Sequence, residues 1–148
     1  MIINAEGLIA GKIAAYAAKQ ALLGEKVDII NAEKACITGS KKNLLENYAA
    51  KVKRGNPFKG PYFPTTPDRI LRRTVRGMLP WKIHRGKDAY KRVMCYLGVP
   101  DGLQGKEVIT LKQADIAKTK SLRYLTLAEL SILLRGNPHY GKSYNGKA

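Results

Sequence analysis

Four arginines, Arg69, Arg72, Arg73 and Arg76, stand three, one and three residues apart. At about 100° per residue of helix they fall inside one stripe roughly 100° wide. Leu71, Val75, Met78 and Leu79 fall on or towards the other side. The spacing predicts a helix with one face in a core and four guanidiniums offered outward. A guanidinium is planar and weakly hydrated and donates two parallel hydrogen bonds, a geometry that phosphate accepts. All four bases are arginine, although lysine is the commoner base elsewhere in the chain. Two other readings exist: a surface helix whose arginines pair with distant acids, and a helix lying in a membrane interface. The first needs acids that are scarce here, and the second wants bulky apolar residues left exposed.

The stretch Gly77-Met-Leu-Pro-Trp-Lys-Ile-His-Arg-Gly86 extends the same chemistry. Trp81 beside Lys82, His84 and Arg85 combines a stacking surface with phosphate donors, as looped or single-stranded RNA requires. A tryptophan buried in the core is the plainer alternative. No nearby group would orient His84 for catalysis. Lys53, Arg54, Lys59, Lys87, Lys91 and Arg92 are the expected secondary phosphate contacts, and Lys12, Lys41 and Lys42 complete the candidate set.

The charge balance points the same way. The 148 residues hold 27 Lys plus Arg against 11 Asp plus Glu, a net charge of +16. With 45% hydrophobic residues the chain can still fold as a globular unit. Residues 1–50 net +1, residues 93–148 net +4, and residues 51–92 net +11, with Asp68 and Asp88 the only acids in that middle stretch. A solvated face would mix signs; this stretch reads as a polyanion site. Nucleic acid therefore leads the expected partners.

Other classes fall away. Lys12 and Lys19 interrupt the longest Ala/Leu/Ile-rich stretch, so no membrane span is expected. The opening residues lack a signal peptide's basic and apolar regions, and a cytoplasmic protein is expected. Cys36 and Cys95 read as isolated buried thiols. Gly7-Leu-Ile-Ala-Gly11-Lys12 has one residue too few between its glycines for a phosphate-binding loop, and Ile13 stands where Ser or Thr would hold magnesium. His84 and His139 have no metal-ligand spacing. No enzyme activity, metal, cofactor or small-molecule substrate is expected.

The elements that must position these groups are partly readable. Met1–Asn4, an Ala-rich helix over residues 10–23 ending at Gly24, and a strand at Lys26–Asn31 form a βαβ unit, which needs a parallel sheet. Ala35–Thr38 reads as a short third strand, and a helix begins near Ser40 with Leu44, Leu45, Tyr48 and Val52 in one stripe. Arg54 to Pro67 holds four of the seven prolines and both phenylalanines, an extended aromatic loop. Thr66-Pro67-Asp68 starts the arginine helix, which should end before Pro80. A helix is expected over Lys87–Leu97, with Ala89, Val93, Tyr96 and Leu97 at core spacing. Strands fit residues 107–111 and 122–125, and Thr126 and Glu129 form a capping box for a last helix carrying Leu127, Leu130, Leu133 and Leu134. The tail beyond Gly136 is expected to order only when bound. The chain reads as one domain, residues 1–148.

The run Asp68-Arg-Ile-Leu-Arg-Arg-Thr-Val-Arg-Gly-Met-Leu-Pro-Trp-Lys82 resembles a known family. It is similar to the thirteenth-numbered large-subunit ribosomal protein in its archaeal and eukaryotic form. Asn4-Ala-Glu-Gly, Gly11-Lys-Ile-Ala, Asn31-Ala-Glu-Lys-Ala, Thr38-Gly-Ser-Lys, Arg85-Gly-Lys-Asp-Ala-Tyr-Lys-Arg, Tyr96-Leu-Gly-Val-Pro and Leu125-Thr-Leu-Ala-Glu-Leu follow in the family's order. The resemblance implies a three-layer α/β/α fold with a four-stranded parallel sheet and a basic helical and loop extension. It implies a structural constituent that binds large-subunit ribosomal RNA, joins early in subunit assembly and contacts neighbouring ribosomal proteins. Lys12 stands where the family often has arginine, and the tail from Gly141 matches no shared motif. The alternative is a free-standing RNA-binding translational regulator.

Overall fold

A computed structural model describes residues 1–56, 58–119 and 123–136. Its centre is a four-stranded, all-parallel sheet flanked by helices, in the order β4-β2-β1-β5. The strands are β1 (Ile2–Asn4), β2 (Val27–Ile30), β4 (Val93–Cys95) and β5 (Val108–Ile109). β2 is buried along its whole length, as a central parallel strand covered on both faces should be. Ile3 pairs with Ile29, and Val93 with Val27.

The first crossover is α1 (Ala10–Leu22), which turns Ala10, Ile13, Ala14, Ala17, Ala18 and Ala21 inward. Five of those six are alanine, which lets α1 lie close to the sheet and to α3 (Pro67–Gly77). Gly24 takes φ +106 just past the helix, where any Cβ would be strained. Leu23, expected as the last residue of the helix, is its C-cap and is 69% exposed.

One strand expectation and one helix expectation change. β3 (Cys36–Thr38) forms, but in a separate antiparallel pair with β6 (Tyr124–Thr126), Ile37 opposite Leu125. The helix expected over Lys87–Leu97 is instead α4 (His84–Lys91) followed by β4. Val93 and Cys95 are buried while Met94 is half-buried, the alternation of a strand. Hydrogen bonds from Val27 N–H to the Arg92 carbonyl and from Tyr96 N–H to the Ile29 carbonyl fix its place beside β2. Leu97 lies beyond the strand and is 55% exposed.

α2 (Lys41–Lys53) starts at Ser40, whose hydroxyl accepts from Asn43 N–H at 3.4 Å. α5 (Leu127–Gly136) starts at the expected capping box: Thr126 N–H donates to the Glu129 carboxylate and Glu129 N–H to the Thr126 hydroxyl, both at 3.2 Å. Leu127, Leu130 and Leu134 are fully buried. Both cysteines are buried and free. No helix among the described residues is long and apolar enough to cross a membrane. The expectations for residues 120–122 and for the tail 137–148, including His139, lie outside the described residues.

Candidate nucleic-acid interface

α3 begins as its sequence requires, with Pro67 at the first helical position, Asp68 in the first turn and Ile70 N–H donating to the Thr66 carbonyl. The Thr66 hydroxyl makes no capping bond, so extended backbone at Thr66 and the proline start the helix. Ile70, Leu71 and Val75 are buried to 1% exposure or less. Met78, expected with them, is the C-cap residue and is 43% exposed; Leu79 turns inward in its place.

The opposite face of α3 carries the arginines, and aromatic rings hold three of them. Arg72 lies 4.5 Å from the Tyr90 ring centroid, Arg73 4.5 Å from Phe63, and Arg76 5.1 Å from Trp81. Trp81 meets Tyr90 edge-on at 5.0 Å and 88°. One connected surface results: Arg72, Tyr90, Trp81 and Arg76 on one side of the stripe, Arg73 and Phe63 on the other. Trp81 is 39% exposed, so it serves as a wall of this surface and not as a core residue. Rings under guanidiniums stabilise the charge without neutralising it, unlike carboxylates. The ion pairs Lys26–Asp28, Lys34–Glu6 and Lys91–Asp88 use none of the four arginines of α3.

The four arginines are not equivalent. Arg69 is exposed. Arg72 is half-buried and its Nε donates to the Val93 carbonyl at 3.0 Å, tying α3 to β4. Arg73 donates through Nη1 to the Tyr62 carbonyl at 3.2 Å, tying α3 to the proline-rich loop. Burial first, and the neighbouring Arg76 charge second, lower the Arg73 guanidinium from its usual range.

That loop is a tight turn followed by extended chain. Asn56 and Gly60 exchange backbone hydrogen bonds at 3.1 and 2.8 Å, and the Asn56 side chain accepts from Phe58 N–H at 2.9 Å. A Cβ on Gly55 would stand 2.5 Å from the Gly60 carbonyl oxygen. Phe58 is left 91% exposed, while Phe63 packs edge-on against Tyr48 of α2 at 5.9 Å. The turn after α3 is equally constrained: a Cβ on Gly86 would stand 2.1 Å from the Pro80 carbonyl oxygen, so only glycine lets α4 begin there.

His84, Arg85 and Lys87 occupy the first turn of α4, and Lys41 and Lys42 the first turn of α2, with no acid in either turn. Cations at a helix N-terminus oppose the helix dipole, so an anion seated there relieves both repulsions. Arg54, Lys59 and Lys82 are exposed beside these elements, as is Lys53 at the end of α2. Three other candidates are already engaged. Lys91 pairs with Asp88 at 3.3 Å, Arg92 Nη1 donates to the Ala21 carbonyl at 3.3 Å, and Lys12 Nζ donates to the Gln113 carbonyl at 2.8 Å. Lys51 joins the surface without having been a candidate: its Nζ lies 4.8 Å from the Tyr48 ring and 5.9 Å from Phe63. Its spacing, three residues after Tyr48 and three before Arg54, was the available signal.

Residues 1–101 match the family model described as ribosomal protein L13. The chain belongs to the ribosomal protein L13 family. It is 50% identical over 131 residues to the large ribosomal subunit protein uL13 of Archaeoglobus fulgidus, covering 88% of this chain and 84% of that one. It is 49% identical over 131 residues to the uL13 protein of Methanosarcina barkeri, covering 88% and 94%. With that of Methanopyrus kandleri the identity is 44% over 132 residues, covering 88% and 83%. The L13 match takes in β1 to β4, the arginine helix and the proline-rich loop, so every element of the basic surface lies inside it.

Proposed function

We propose that residues 1–148 act as one structural domain of the large ribosomal subunit, which binds large-subunit ribosomal RNA and supports early subunit assembly in the cytoplasm. The observation that carries this reading is a stripe of arginines backed by aromatic rings in place of carboxylates. Paired arginines would be a finished structure; ring-backed ones still need an anion. RNA supplies phosphates for the guanidiniums and unstacked bases for exposed aromatic faces such as Trp81. The relatives' name, large ribosomal subunit protein, supports the same assignment. Neighbouring ribosomal proteins are the expected protein partners. Scaffolding, with no catalytic step, is the role proposed for it.

Sedimentation of the native protein from a cell extract tests this, at low salt and after a high-salt wash. Comigration with the large subunit in both conditions is the expected result. A slow-sedimenting pool at low salt would replace the scaffold with a free regulator, and release only at high salt would make the protein a peripheral passenger.

A further inference from the structure

The end of α2, the loop residues Pro61 and Phe63 and the middle of α3 surround a cleft of about 260 Å³ lined by Lys51, Arg54, Pro61, Phe63 and Arg73. That volume is below the range of small-molecule pockets, and three of its five lining residues are cations. Among the described residues none of the three is ion-paired. Arg73 gives one N–H to Tyr62, which leaves most of its donors unused. Lys51 is held over Tyr48 and Phe63, and Arg54 is exposed at the cleft's rim. Three like charges held around an apolar wall repel one another, and that wall strengthens any charge interaction made inside.

We propose that this cleft is a phosphate-binding site, in which Lys51, Arg54 and Arg73 donate to the oxygens of one phosphate group against the Phe63 and Pro61 wall. A tetrahedral group presents enough oxygens to engage all three cations at once. A carboxylate holds its two oxygens in one plane, whereas the non-bridging oxygens of a phosphodiester, like those of free phosphate, are set tetrahedrally and can face cations on different sides of the cleft. The Arg73–Tyr62 hydrogen bond and the Phe63 contact make the cleft depend on the seated loop, so occupancy and loop position are coupled. The site itself stands on its own geometry; only the source of the phosphate, an RNA phosphodiester or free inorganic phosphate, rests on the RNA reading above.

The test compares the full chain with a variant carrying Lys51→Met and Arg54→Met, in inorganic phosphate and in chloride at equal ionic strength. Methionine keeps a long apolar stem against Tyr48. Phosphate at ten times its dissociation constant should raise the melting temperature of the native chain by about 4 °C more than that of the variant. General salt exclusion raises both alike, and Lys19→Met with Lys118→Met, away from the cleft, should retain the full difference. An equal rise in the native chain and the cleft variant would overturn the site. If the double variant does not fold, Arg54→Met alone makes the same comparison. RNA binding across a salt series then identifies the source. A slope of log K against log salt shallower by about 0.7 in the cleft variant assigns the site to an RNA phosphate. An unchanged slope, with the phosphate shift lost, assigns it to free phosphate. A phosphate shift that needs both residues in a chain that binds no RNA leaves the cleft standing and overturns only the RNA reading.

Discussion

Arg69 and Arg72 sit one turn apart on the same stripe and do different work. Arg72 combines a hydrogen bond to the Val93 carbonyl with a stack on Tyr90, and Arg69 is exposed. A charged hydrogen bond and a half-buried cation–π contact together are worth about 2 kcal/mol. Arg72→Ala should therefore lower stability by about that amount, and Arg69→Ala by less than about 0.5 kcal/mol. Urea midpoints measured on the two variants check the difference. Cys95 acts at the same scale. Burial above all pushes its thiol from the ordinary 9.0 up to about 12. In the unfolded chain the thiol ionises near pH 9, while the folded chain keeps its proton until about pH 12. The contribution to stability is therefore complete below pH 9 and is lost as pH rises towards 12. Tyr48 and Tyr96, both raised chiefly by burial, act with the same sign and remain when Cys95 is replaced. Stability measured against pH should fall more steeply above pH 9 in the native chain than in Cys95→Ala, with parallel curves refuting the assignment.

At the scale of elements, α3 works by keeping its two faces chemically separate. Val75 is fully buried beneath it, and Val75→Asp would place an unpaired carboxylate there. A cost above about 4 kcal/mol is expected, enough to unfold a domain of ordinary stability. Loss of the far-ultraviolet helix signal would show it, and a normal spectrum would mean that the buried face lies elsewhere. The turn between α3 and α4 is a second element with one tolerated residue. Gly86→Ala must push residues 80–86 apart because of the contact with the Pro80 carbonyl. Trp81 is the sole tryptophan and sits in that turn. Its emission should shift to the red in Gly86→Ala while the helix signal stays close to native. The starts of α2, α3 and α5 were legible because Ser40, Pro67 and the Thr126–Glu129 pair act on backbone groups within a turn. β4 was not legible. Ala89, Val93, Tyr96 and Leu97 match a helical stripe while Val93 and Cys95 alternate as on a strand, and only pairing with β2 decides between them.

For the whole molecule, the net charge of +16 lies mainly on one stretch of chain, so binding should be governed by phosphate contacts. If about eight phosphates are neutralised, log K for RNA should fall against log salt with a slope near −6. A slope near zero in a filter-binding or anisotropy series would exclude the electrostatic mechanism. Folding also sorts the candidates into working groups. Lys41 and Lys42 lie about 15 Å along α2 from Lys51, and Lys12 is turned to the Gln113 carbonyl. The arginine stripe, Trp81, Lys51 and Arg54 form the continuous part of the surface.

The amino-acid sequence by itself determined the chemistry on offer: an excess of bases in residues 51–92, an arginine stripe opposed to Leu71 and Val75, and a proline and aromatic loop beside it. Those features are local, set by residue type and by spacing within a few turns. Only the tertiary structure decided which cation has a partner, because each partner is distant in the chain or on another element. Val93 claims Arg72, Ala21 claims Arg92, and Gln113 claims Lys12. Phe63 brings Arg73 and Lys51 together across a loop whose path no short-range pattern encodes. Side-chain charge is a property of the residue; its availability depends on what the fold places within hydrogen-bond reach.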